Sequence, residues 1–87
     1  MPYIKKEKRP EVDALVAPLL EHLKTLPIEE QDGTFNYIIT KILNLYPAKY
    51  FHYNRALGVL SAVREEFYRK VVAPYEDAKI TENGEVE

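Results

Sequence analysis

Prolines cut this chain into stretches, and within three of those stretches apolar residues recur every three or four positions. That spacing aligns side chains on one face of an α-helix. A proline inside a helix removes a backbone hydrogen bond and clashes with the preceding turn, at about 3 kcal/mol. Pro10, Pro18, Pro27, Pro47 and Pro74 therefore limit where helices can start and stop. The pattern leaves room for a few amphipathic helices and little else.

The first predicted helix covers 10–25. Its stripe is Val12, Leu15, Val16, Leu19, Leu20, Leu23 and Leu26. Pro10 suits a first turn, where the amide it lacks has no partner to find. Pro18 falls inside, and a kink or break is expected near Ala14–Pro18. The stretch TLPIEEQDGT reads as a connection with room for one turn after Pro27. Asp32 or Thr34 is then the natural cap of a second helix over 34–46. Its stripe is Phe35, Ile38, Ile39, Ile42 and Tyr46. Pro47 ends it, and YPAKY forms a tight corner. The third and longest helix spans 49–73, with Tyr53, Ala56, Leu57, Leu60, Val63, Phe67 and Val71 in one arc. Glu65–Arg69 and Glu66–Lys70 stand at i,i+4, a spacing that contributes a few tenths of a kcal/mol per pair. Pro74 is read as its stop. Residues 76–87 form an acidic tail, or a hairpin around Asn83-Gly84. The expected fold class is all-α: a three-helix arrangement with a long third helix and a short C-terminal tail or hairpin. The short corner puts helices two and three antiparallel, with helix one across them.

A single domain of 87 residues has a marginal core, and such chains often gain stability by associating. There is no cysteine, hence no disulfide framework and no thiolate chemistry. The start MPYIKKEKRP has no apolar stretch of the signal-peptide kind, and no run approaches the roughly 18 residues of a membrane span. A cytoplasmic location is the default. The net charge of −2 hides an asymmetry. Five acids in 76–87 stand against Lys79, while Lys5, Lys6, Lys8 and Arg9 cluster in a basic N-terminal arm over 1–9.

Catalytic signatures are missing. No glycine-rich phosphate loop, HExxH or acidic calcium loop occurs. His22 and His52 lie on different helices without further ligand-type residues nearby. A surface histidine is the plainer reading of the first, and aromatic packing beside Tyr50, Phe51 and Tyr53 of the second. No nucleophile, base and orienting acid can be assigned, so no catalytic residue, metal site or cofactor is expected.

The polar faces carry more information. On the back of the third helix, Gly58, Ser61 and Ala62 make a small-residue seam flanked by Arg55, Glu65, Glu66 and Arg69. Glycine in a solvated helix costs about 1 kcal/mol relative to alanine, so a seam for another backbone competes with one tolerated glycine. The outward face of the second helix, Asn36, Tyr37, Thr40, Lys41 and Asn44, holds one charge. Solvated helix faces usually hold more, so either a partner covers it or a short helix varies by chance. Arg64 falls inside the apolar arc. Its stem packs while the guanidinium reaches water, or a cleft holds it as an anion or polar site.

The segments NYIIT (36–40), LGVL (57–60), EFYRKVVAPYED (66–77) and ENG (82–84), with YIK near the start, resemble a family of small uncharacterised proteins from phage and prokaryotic genomes. The resemblance covers most of the chain. It implies a helical cytoplasmic protein of possible viral association and assigns no residue a role.

The reading is therefore a non-enzymatic interaction or assembly module acting as a homodimer. A 25-residue helix spans about 37 Å and its 13-residue neighbour about 20 Å. The C-terminal half of the third helix, with Phe67, Tyr68, Val71 and Val72, is then left for a second protomer. The interface would comprise Asn36, Tyr37, Thr40, Asn44, Gly58, Ser61, Ala62, Glu65, Phe67, Arg69 and Val71. A nucleic-acid binder using Lys5, Lys6, Lys8, Arg9, Arg55 and Arg69 is the alternative, opposed by the pI near 5.7. A small enzyme of unknown reaction comes third.

Overall fold

The computed structural model describes residues 3–86. Met1 and Pro2 of the basic arm and Glu87 of the acidic tail lie outside the described residues. Three helices form in chain order, the third long, and there is no strand among the described residues. The chain divides into two compact units, Tyr3–Pro47 and the remainder from Ala48.

In the first unit a 3-10 turn, Lys6–Lys8, leads into α1, Arg9–Leu23. The basic arm is tied down locally. Arg9 Nε donates to the Ile4 carbonyl at 3.3 Å, and its guanidinium lies 5.3 Å from the centre of the Tyr3 ring. Pro10 occupies the first turn as expected. No break occurs at Pro18, and the helix continues through it. Because Pro18 has no N–H, the Ala14 carbonyl loses its helical partner, a cost that an exposed turn moderates by hydration. Past the last turn the bonds tighten: Thr25 N donates to His22 O (3.1 Å) and Leu26 N to Leu23 O (3.2 Å), and Thr25 Oγ1 also donates to His22 O (2.7 Å).

The second helix starts earlier than the sequence spacing suggested. α2 is Ile28–Leu43, so most of the expected connection is helical, and Asp32 and Thr34 lie inside it rather than capping it. The cause is Pro27. Its fixed φ and extended ψ (−61°, 151°) turn the chain into the helix, and its carbonyl accepts Glu30 N at 2.9 Å. Glu29 and Glu30 then sit in the first turn, where the macrodipole favours acids. Gln31 Nε2 donates to the Leu26 carbonyl at 3.2 Å and closes the α1–α2 junction. The helix ends at Leu43, short of the expected Tyr46. Leu45 N and Tyr46 N make tight turns to Ile42 O and Leu43 O before Pro47.

The second unit is one long helix in three parts. α3 is Tyr50–Phe67, a π-helical turn occupies Tyr68–Val72, and α4 is Ala73–Asn83. Pro74 does not stop the helix, contrary to the sequence reading. A π turn bonds each amide one residue further back, which widens the helix and shifts its register. Pro74 thereby falls in the first turn of α4, where a missing N–H is harmless. Residues 76–83, read as a loose tail or hairpin, are therefore helical. Asn83-Gly84 is not a hairpin turn but a helix end. Gly84 adopts φ +94° and donates its N–H to Ile80 O at 2.7 Å.

Candidate interaction surfaces

In the first unit the apolar stripes of α1 and α2 converge on an open groove of about 680 Å³. Leu19, Leu20 and Leu23 line it from α1, and Phe35, Ile38 and Ile39 from α2, with Lys24 and Gln31 adding the polar edge. These side chains were expected to be core. Leu23 and Ile38 are half-buried, whereas Leu20, Phe35 and Ile39 remain exposed. The link over 24–27 joins the helices as neighbours, and the Gln31 bond to the Leu26 carbonyl fixes the junction. The groove beyond it stays open.

The third helix presents apolar side chains along its length. Val63 is 59% exposed, Phe67 58% and Val71 51%, with Leu57 and Tyr75 also exposed. Behind them, a Cβ built on Gly58 meets nothing within 4 Å, so the seam with Ser61 and Ala62 lies on an open surface. Arg64 is not enclosed. Its side chain is 83% exposed and stands 3.9 Å from Glu65. Arg69 turns to Glu66, three residues back, where the spacing pointed to Glu65. The π turn begins at Tyr68 and alters the i,i+4 geometry there.

The charge-poor face of α2 pairs with itself. Thr40 Oγ1 donates to Asn36 Oδ1 at 3.3 Å, and the Lys41 ammonium lies 5.1 Å from the centre of the Tyr37 ring. Asn44 is the C-cap of α2. Asn36, Tyr37, Thr40 and Asn44 thus belong to the first unit. Gly58, Ser61, Ala62, Glu65, Phe67, Arg69 and Val71 belong to the second.

A contact that the sequence spacing did not reveal spans the π turn. Tyr68 Oη donates to Glu76 Oε1 at 2.6 Å. That bond, and after it the Glu76 charge, hold the Tyr68 phenol above its usual range near 10. Desolvation and Asp77 add in the same direction. Nothing in an i,i+8 spacing marks such a pair, because the register change that aligns it depends on the π turn.

The basic residues considered for nucleic acid are partly engaged within their own chain. Arg9 serves Ile4 and Tyr3, Arg69 serves Glu66, and Arg55 Nη1 lies 2.8 Å from His52 Nδ1. His52 packs edge-on against Phe51, with ring centres 5.2 Å apart. Among the described residues no three metal-type ligands stand together, and no helix is long and apolar enough to cross a membrane.

A family model described as a domain of unknown function (DUF6899) matches residues 1–86. No curated protein and no solved structure matches the chain.

Proposed function

We propose that this chain, which belongs to that family, is a non-enzymatic assembly module that works as a homodimer, with its third helix supplying much of the interface. One observation carries the reading: the third helix is too long for the rest of the protein. Residues 50–83 make 34 helical positions, roughly 51 Å at 1.5 Å each, whereas α1 and α2 have 15 and 16 residues and reach roughly 22 and 24 Å. At these lengths neither α1 nor α2 is long enough to cover the third helix from end to end.

Val63, Phe67 and Val71 lie on that helix, and each gives about 1.5–3 kcal/mol on full burial. A domain of this size needs that contribution, and a second copy supplies the missing surface. The cytoplasmic setting belongs to the same proposal and is supported by the lack of cysteine. So does the viral association that the sequence resemblance implies, since small self-associating helical parts suit an assembly. Sedimentation equilibrium at micromolar concentration should give about twice the 10.1 kDa chain mass. A single 10.1 kDa species across that range would overturn the proposal.

A further inference from the structure

Resting on the dimer reading, we infer that the α1–α2 groove of one protomer receives the stretch 63–72 of its partner's third helix. Apolar matching gives the first argument. The groove offers Leu19, Leu20, Leu23, Phe35, Ile38 and Ile39. The incoming stretch offers Val63, Phe67 and Val71, all exposed. Val63 and Phe67 stand four apart on α3 and form a ridge of the kind that packs into a facing helical groove, and Val71 follows in the π turn.

Charge selects this occupant over the other apolar helix faces. Residues 9–43, the span of both groove helices, carry six acids (Glu11, Asp13, Glu21, Glu29, Glu30, Asp32) against Arg9, Lys24 and Lys41, a balance of −3. Residues 48–73 carry five bases against Glu65 and Glu66, a balance of +3. The groove region of one copy therefore attracts the α3 region of another. Two α3 regions laid against each other repel, which disfavours a direct pairing of third helices. α4 is also disfavoured, because Glu76, Asp77 and Glu82 outnumber Lys79 and it would meet an acidic surface. Complementary potentials of this kind set register and suppress wrong pairings more than they add affinity.

Arg64 acquires a role in this arrangement. It stands three residues before Phe67, on the flank of the incoming stripe, and extends into solvent beside Glu65. In the groove it would face the acids of the first turn of α2, Glu29 and Glu30. A twofold axis fills both grooves at once and closes the assembly.

The chain has no cysteine, so engineered pairs can be read without background. Leu20→Cys and Phe67→Cys variants are made separately, checked for helicity by circular dichroism, mixed and mildly oxidised. A disulfide-linked dimer formed efficiently in the mixture, and poorly by either variant alone, is the expected result. Self-linking of Phe67→Cys would mean that third helices pair directly, overturning the inference while leaving the dimer. A disulfide within single chains of the double variant would mean that the groove holds its own helix, and would also overturn it. If sedimentation shows a dimer and the mixture does not link, this inference fails alone. If it shows only monomer, the dimer reading fails with it. As a non-covalent check, Arg64→Glu should weaken dimerisation about tenfold at low salt and less at high salt. An unchanged dissociation constant would remove the charge argument on which the choice of occupant rests.

Discussion

Tyr68 and Gly84 are the two residues whose individual chemistry shapes the second unit most visibly. The Tyr68 hydroxyl is protonated when it donates to Glu76, so the bond favours the neutral phenol and raises its pKa. A folded-state pKa above the unfolded value gives stabilisation that is complete below pH 10. It is lost as pH rises through the higher folded value. The group is exposed, so the contribution is small. Absorbance titration of tyrosinate should show one of the seven tyrosines ionising late. Glu76→Gln should return it toward the common range, and Tyr68→Phe should delete it. If all tyrosines ionise together in the parent protein, the Tyr68–Glu76 bond does not persist in solution. Gly84 sits at φ +94° and ψ 153°, a region closed to side chains at a cost of order 1–3 kcal/mol. Because Gly84 is the C-cap of α4 and lies beyond its last turn, Gly84→Val should fray that turn and leave the melting temperature nearly unchanged. Hydrogen exchange at Asn83 and Gly84 amides should accelerate while α3 amides keep their rates.

At the scale of elements, the prolines behave differently according to what precedes them. Pro27 and Pro47 mark boundaries and Pro10 begins a helix, as local rules require. Pro18 and Pro74 are carried within helices. Pro74 is accommodated by the π turn at Tyr68–Val72, whereas no such turn precedes Pro18. Pro18→Ala should therefore stabilise the protein by about 1–3 kcal/mol, read from urea unfolding, because the Ala14 carbonyl regains its donor. Pro74→Ala should give a smaller gain, since its N–H would be added in a first turn. Equal gains at both positions would show that the π turn does not relieve Pro74. The early start of α2 follows the same logic. The sequence reading weighed Asp32 and Thr34 as caps, but Pro27 with Glu29 and Glu30 already satisfies a helix start six residues earlier.

At the scale of the whole molecule the proposal concerns exposed apolar side chains, which a second copy would cover. A homodimer makes the unfolding midpoint depend on protein concentration, because mass action favours the associated folded state. Diluting the protein a hundredfold should lower the thermal midpoint by several degrees, whereas a monomer would keep it fixed. The proposed homodimer makes no demand on nucleic acid. Titration of labelled single- and double-stranded oligonucleotides at low salt should show no saturable binding. A steep salt-dependent loss of tight binding would transfer the function to the basic residues.

Three helical stripes and a long third helix were legible from apolar spacing, since each residue's place on a helix depends on neighbours within four positions. The open back of Gly58 and the exposed Arg64 were flagged by residue type, although spacing left the surroundings of each undecided. The continuation past Pro74 was not legible. A proline in sequence reads as a stop unless the register before it is known, and the π turn at 68–72 has no glycine or cap to announce it. The Tyr68–Glu76 bond inherits that register. The groove is the other decision that needed three dimensions. The stripes of α1 and α2 were each recognised as apolar, but only the folded chain shows that they line one open groove. Periodicity fixes which face of a helix is apolar. The distance to the next helix is set by contacts between residues that periodicity treats as independent.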